Sequence, residues 1–218
     1  LGVPFLLGGG FALATFTGSW RDTKDIDFYI KPQDRRKVVR CLAEAGFSDY
    51  FHQQPYDRKW IHRSVRSNVI VDTIWAMANQ RARVDDLWFE RAGSVLIRDE
   101  ELGVVPMEEL LWCKLYIMQR DHCDWTDAFN LVHAQGREMD WGHLLNRLGE
   151  DTPLLKAMLT IYGWLCPKGA RELPKTLRDR LELMPPSPGA SLRRDHIRLL
   201  DSRAWFSSLQ PRNKKLQV

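Results

Sequence analysis

Asp25-Ile26-Asp27-Phe28-Tyr29-Ile30 sets two carboxylates two residues apart in a stretch that alternates acidic or polar with apolar side chains. In a β-strand alternate side chains share a face, so Asp25, Asp27 and Tyr29 point one way and Ile26, Phe28 and Ile30 the other. The two carboxylates then lie about 6.5 Å apart along one face. Like charges at that spacing repel unless a cation or hydrogen-bond donors hold them, and Mg2+ prefers carboxylate oxygens together with substrate phosphates. A solvent-facing acidic strand end also accounts for an isolated Asp-x-Asp, so the pair gains meaning only in company.

Four further features supply that company. Gly8-Gly9-Gly10 ends an apolar stretch and opens a short apolar helix. Glycines let a backbone approach a phosphate, and a helix start offers free N–H groups, although a tight strand-to-helix turn also wants glycine. Asp72 shares a face with Ile70 and Ile74 in the β-branched stretch 68–75. A carboxylate there is costly unless it is paired, binds metal, or sits at the water line of an edge strand. Lys114 falls within the stripe Met107, Leu110, Leu111, Lys114, Met118. It needs an anionic partner, a triphosphate being one candidate, unless its stem packs and its amine snorkels to water. In Asp124-Trp125-Thr126-Asp127, helix capping explains at least one acid, and the other can orient Lys114.

The elements that must position these residues follow from pattern. Strands are predicted over 3–7, 25–31 and 68–75, with a polar loop at 18–24 and a hairpin pairing 94–98 with 102–105 around Asp99-Glu100-Glu101. Helices are predicted over 11–16, 32–45, 107–120, 125–135, 141–148, 153–165 and 191–202, with a proline-rich linker at 183–189. Pro32 starts the second helix and Gly46 stops it. The fold class is therefore α+β: a small mixed sheet flanked by helices, then a helical C-terminal region. In domains, this reads as 1–105 for a catalytic domain, 106–182 for a helical domain completing the cleft, and 183–218 for a linker and basic tail.

Composition limits the classes of function. Of 218 residues, 44% are hydrophobic and 28% charged, which excludes a mostly disordered chain. No apolar run has the length of a membrane span, and the start does not read as a secretory signal. The apolar opening Val3-Pro4-Phe5-Leu6-Leu7 implies that further residues precede Leu1, an amphipathic helix among them. Cys41, Cys113, Cys123 and Cys166 lack CxxC spacing, so free, mostly buried thiols in a reducing cytoplasm are expected. The six histidines form no zinc motif. From Lys168 onward twelve Lys/Arg face five Asp/Glu, a basic segment that suits a solvated tail or contact with RNA. Trp20 and Trp60 are candidates for an aromatic wall against a base, though a core role is the commoner use of tryptophan.

Together these residues resemble the nucleotidyltransferase superfamily that includes DNA polymerase β and the aminoglycoside nucleotidyltransferases. The shared pattern is a glycine turn at a helix start, Asp-x-Asp on the next strand and a third carboxylate on a later strand. Here that is Gly9-Gly10, then Asp25-Ile26-Asp27, then Asp72. The wording from Gly8 to Leu13 and from Gly18 to Asp27 is most similar to the bacterial stand-alone branch, which includes abortive-infection toxins. The segment 106–131, with Lys114, Arg120, Asp124 and Asp127, is similar to that branch's Lys-then-Asp helical stretch.

The resemblance implies transfer of an NMP from an NTP, ATP among them, to a hydroxyl acceptor, with release of pyrophosphate. Asp25, Asp27 and Asp72 would hold two Mg2+ ions, and Asp72 would accept the acceptor's proton. Gly9, Gly10 and Ser19 would contact phosphates, Arg21 and Lys114 would neutralise them, and Thr23 would order the loop. The acceptor stays open between a small molecule, a protein side chain and a tRNA 3′ end. The last would make the protein toxin-like, with an antitoxin as a partner. Two other classes compete: a nucleotide- or partner-binding module without catalysis, and a metal-dependent hydrolase. The hydrolase ranks lower, because phosphatases of that kind place their acids at the end of the first strand with no glycine turn before it.

Overall fold

The computed structural model describes residues 2–20, 22–119, 122–185 and 192–200. The chain divides into two units, with the break between Cys113 and Lys114. The first unit holds strands β1 (Leu6–Leu7), β2 (Asp25–Tyr29), β3 (Ser48–Asp49), β4 (Ile61–Arg66), β5 (Val69–Ile74), β6 (Gly93–Ile97) and β7 (Glu100–Val104). Helices α1 (Gly9–Thr17), α2 (Arg35–Glu44) and α3 (Asp86–Glu90) interrupt them, and α4 (Met107–Leu115) spans the break.

These strands form one sheet in the order β3-β4-β5-β2-β1-β7-β6. It is mixed: β2 runs parallel to β5 and antiparallel to β1, while β1 runs parallel to β7. The β2-to-β5 connection carries α2, as a parallel pair requires a crossover. Pro32 opens that connection as a 3-10 turn, and α2 follows from Arg35. Val38 and Leu42 lie four apart on α2 and pack with Ile30, Val71 and Trp75 from the sheet; Phe28 and Trp60 close the same cluster. One face of β2 and β5 is therefore committed to this core. The other carries Asp25, Asp27 and Asp72, because the side-chain period along a strand is two.

The sequence reading missed β3, β4 and α3. In β4 the polar His62 and the charged Arg63 and Arg66 break the apolar alternation that signals a strand. Its pairing with β5 is set by the fold, not by hydrophobicity. The hairpin of β6 and β7 exists, but its turn is Arg98-Asp99, with φ of 50° and 67°. Positive φ at both central residues is the geometry of a type I′ turn, for which Asn-Gly is the usual signal.

In the second unit, α5 (Trp125–Gln135) and α6 (Trp141–Leu148) keep their expected bounds, and α7 (Thr152–Leu165) begins one residue early. Two short helices were not anticipated, α8 (Pro167–Glu172) and α9 (Lys175–Arg180). Leu131, Leu144, Leu155 and Met158 are fully buried here, and the Phe129 and Tyr162 rings stack. The helix expected over 107–120 ends at Leu115, because the chain turns and the Asp124 N–H bonds back to the Ile117 carbonyl at 3.0 Å. Of the helix expected over 191–202, α10 (Arg194–Ile197) is present, and Ser191 and everything beyond Leu200 lie outside the described residues. So do residues 186–189 of the expected linker. None of the four cysteines is in a disulfide; Cys113 and Cys166 are buried and Cys123 is exposed. Among the described residues no helix is long and apolar enough to cross a membrane.

Left-handed backbone at a non-glycine residue costs about 1–2 kcal/mol. Replacing Arg98→Asn together with Asp99→Gly should therefore raise stability by about that amount. Thermal melting of the double variant checks it.

Candidate active site

Register brings the acids together. Asp27 on β2 lies directly beside Asp72 on β5 in the parallel ladder, and Asp25 stands two residues earlier on the same face of β2. Asp72 is not at a sheet edge. β5 lies between β4 and β2, and the residue is 3% exposed. Arg63 on β4 sits directly opposite Asp72 in the antiparallel ladder. Its Nε donates to Asp72 Oδ1 at 2.7 Å and a terminal nitrogen donates to Oδ2 at 2.5 Å. The same guanidinium reaches Asp25 Oδ2 at 3.5 Å.

Burial pushes the Asp72 carboxyl above its ordinary value, against the opposing pull of Arg63; the nearby Asp25 pushes it the same way as burial. The hydrogen bond to Asp72 holds the Arg63 guanidinium above its own ordinary value, so Arg63 is charged at any working pH.

The glycines stand against the same acids. The Gly8 N–H donates to the Asp27 carbonyl at 3.0 Å, so the start of α1 is fastened to β2. Gly9 has φ of +50°, and a Cβ there would lie 1.6 Å from Asp27 Oδ2. The absence of a side chain at Gly9 is what gives the Asp27 carboxylate its place. Gly10 is different: a Cβ would meet only the Thr23 side chain, at an ordinary 3.5 Å. The Thr23 hydroxyl lies 3.0 Å from the Asp25 carbonyl and 3.1 Å from its carboxylate, tying the loop to the first acid. Ser19 donates its N–H to the Thr17 hydroxyl at 3.3 Å. Arg21 lies outside the described residues. Trp20 is exposed and meets the Phe11 ring edge-on, whereas Trp60 packs into the α2 core.

The remaining predicted residues form a second group, in the second unit. Lys114 Nζ donates to Asp124 Oδ2 at 2.8 Å and to Asp127 Oδ2 at 2.7 Å. The side chain does not snorkel; it is 6% exposed. Burial opposes the charge on Lys114, but Asp127 and then Asp124 overcome it, and the amine is held above its ordinary value. Asp124 occupies the N-cap position of α5 without making a side-chain capping bond. That corrects the division of labour expected for the two acids. Both orient Lys114, since a buried ammonium is a stronger partner for a carboxylate than a backbone N–H.

Among the described residues, no group of three His, Cys, Asp or Glu side chains is arranged to hold a metal ion alone. The donor chemistry of Asp25 and Asp27 nonetheless suits Mg2+, which keeps several waters and takes one or two carboxylates plus substrate phosphates. Gly9 packs directly against Asp27, whose carboxylate fills the space that a side chain there would take. Arg63 is the residue that sequence reasoning missed. Its only signal was an arginine at an alternate position of a charged stretch, and without the register nothing connects it to Asp72.

The chain belongs to a family described as uncharacterised nucleotidyltransferase, which matches residues 1–165. Among solved structures it is similar to the lincosamide antibiotic adenylyltransferase LnuA in its lincomycin-bound form, at 19% identity over 59% of this chain and 85% of that one, with a TM-score of 0.42. It is also similar to the antibiotic-resistance factor ANT(2″)-Ia, at 15% identity over 73% of this chain and 84% of that one, TM-score 0.45. A third is an antigenic nucleotidyltransferase-like protein from Paracoccidioides brasiliensis, at 15% over 72% and 84%, TM-score 0.39. No curated protein matches the sequence.

Two predictions follow from the packing. Gly9→Ala should displace Asp27 and lower the melting temperature, whereas Gly10→Ala should leave it unchanged or higher; calorimetric melting of both separates them. Lys114→Met removes the cation shared by two buried carboxylates and should cost about 3–5 kcal/mol in urea unfolding at neutral pH. Because the Lys114 value is raised on folding, its contribution is complete below the ordinary lysine value. It should be lost only as pH climbs through the higher folded value.

Proposed function

We propose that this nucleotidyltransferase-family chain moves a nucleoside monophosphate from an NTP to a hydroxyl acceptor, with the carboxylates of β2 and β5 as its reaction centre. The observation that carries the reading is the side-by-side register of Asp27 and Asp72, with Asp25 on the same face and Gly9 packed on Asp27. A divalent ion, when bound, supplies a Lewis acid that polarises the transferred phosphate and offsets charge on the departing pyrophosphate.

Asp25 and Asp27 are the residues that would hold that ion. Gly9 and Gly10 present the N–H groups at the start of α1 to the terminal phosphates, where the helix dipole also favours negative charge. Ser19 adds a hydroxyl and Arg21 a positive charge to the same phosphates. Thr23 holds the Asp25 carboxylate through the bond already described. Asp72 takes the proton from the acceptor hydroxyl as its oxygen attacks the α-phosphorus. Lys114, Asp124 and Asp127 are engaged with one another, so we assign them to holding the second unit together and not to phosphate contact.

The acceptor is a hydroxyl of a small molecule, a protein side chain or an RNA 3′ end. A second reading, nucleotide binding without transfer, draws on the hold that Arg63 has on both oxygens of Asp72.

Calorimetric titration with each NTP, with and without Mg2+, tests the site. Wild type should bind in a magnesium-dependent manner, and Asp25→Asn or Asp27→Asn should lose that binding. Asp72→Asn should keep it while lowering pyrophosphate release about 10²–10⁴-fold. Binding that ignores both magnesium and the substitutions would end this reading. Magnesium-dependent binding with no pyrophosphate release from any acceptor pool would favour the second.

A further inference from the structure

We propose that the second unit carries a binding site for a small apolar carboxylate, an aryl or short alkyl acid, held by Arg178 in a cavity between α7 and the chain that follows α9. The proposal does not depend on the nucleotidyl-transfer reading.

The local fold puts a cation on an inward face. At α9 the buried Leu177 and Leu181 stand four residues apart, and Arg178 lies three before Leu181, so its stem leaves from the same side of the helix. Glu182 then takes φ of 50°, and the Leu183 N–H donates to the Arg178 carbonyl at 2.9 Å. That turn brings residues 183–185 back beside Arg178 and against α7.

The result is a cavity of about 210 Å3. Its walls include Leu159, Trp164, Leu183 and Met184. The Thr160 hydroxyl, also in the lining, already donates to the Lys156 carbonyl at 2.7 Å. Trp164 stacks on His196 with 4.0 Å between ring centroids, which fixes that wall. Trp164 is 40% and Met184 81% exposed, so the apolar lining continues to the surface.

Arg178 is the anomaly in this setting. Its Nε is buried and meets no hydrogen-bond partner. The acids nearest to it in the chain are engaged elsewhere, Asp179 with Lys175 and Glu182 with Lys156. Among the described residues no carboxylate lines the cavity. A guanidinium stays charged at every working pH, and desolvating it without an anion is costly. A carboxylate laid side-on matches its fork with two parallel hydrogen bonds. Size decides the rest of the ligand. A dry cavity of about 150 Å3 takes benzene, so this one has room for a ring or a short chain together with its carboxylate.

Fluorine NMR of 4-fluorophenylacetate titrated with the full chain tests the site. The acid should bind at least tenfold more tightly than the neutral 4-fluorophenylacetamide. Trifluoroacetate, a head without a body, should show no binding. Arg178→Leu should bring the acid and the amide to equal affinity. Wild type decides first: no binding of the acid, equal binding of acid and amide, or trifluoroacetate binding as tightly as the acid would each overturn the proposal, and none needs a variant to fold. A preference for the acid that survives in an Arg178→Leu protein whose circular dichroism matches wild type would overturn it as well, by placing the carboxylate elsewhere. Magnesium-dependent NTP binding is untouched by any of these results, so the two readings fail separately.

Discussion

Asp27 and Asp72 stand side by side on parallel strands, and Asp25 shares their face. Like charges directly opposed across strands destabilise a sheet, and desolvation enlarges the effect for a buried carboxylate. Much of the first unit answers that constraint. β4 is a charged strand because one of its residues must supply a cation to Asp72. Tyr56 fastens the backbone of that residue. Thr23 gathers the carboxylate of Asp25. The opposite face of the same strands is spent on the α2 core, so the acids cannot relieve one another by turning away.

The start of α1 belongs to the same arrangement. A glycine before a helix has two ordinary explanations, a tight turn and a close approach by something else. At Gly9 both apply, since φ is +50° and the neighbour is the Asp27 carboxylate, not backbone. An acid beside a helix N-terminus is favoured by the helix dipole, which offsets part of the repulsion from Asp72. Among the described residues Gly10 meets neither constraint.

Most of the architecture was legible because periodicity announces it. The helices over 125–135 and 141–148 keep their bounds since their apolar stripes run unbroken between a clear start and stop. The strands carrying Asp25, Asp27 and Asp72 were found for the same reason. β4 was not, because its polar residues fall on both faces, His62, Ser64 and Arg66 on one and Arg63 on the other, and break the alternation. Arg63 therefore escaped notice, though the cost of burying Asp72 already demanded a cation. The helix ending at Leu115 instead of Arg120 is a tertiary effect: the turn back to Asp124 brings a carboxylate to Lys114, and no local pattern reports that.

The two charged clusters obey one rule with different remainders, and the difference separates a site from a staple. Around Lys114, one ammonium serves two carboxylates, all three side chains are nearly buried, and His122 stands 2.7 Å from Asp124 as a further donor. Little of that charge reaches solvent. On the sheet, the Arg63 guanidinium pairs with Asp72 and reaches Asp25. Asp25 and Arg63 are each about one-third exposed. That sets acidic side chains at a surface open to water, next to a helix start whose N–H groups attract anions. A lone anion would be repelled by the acids and a lone cation would leave the helix start unused. A divalent cation carrying a polyphosphate would satisfy both, and that is the ground for the proposed nucleoside triphosphate site.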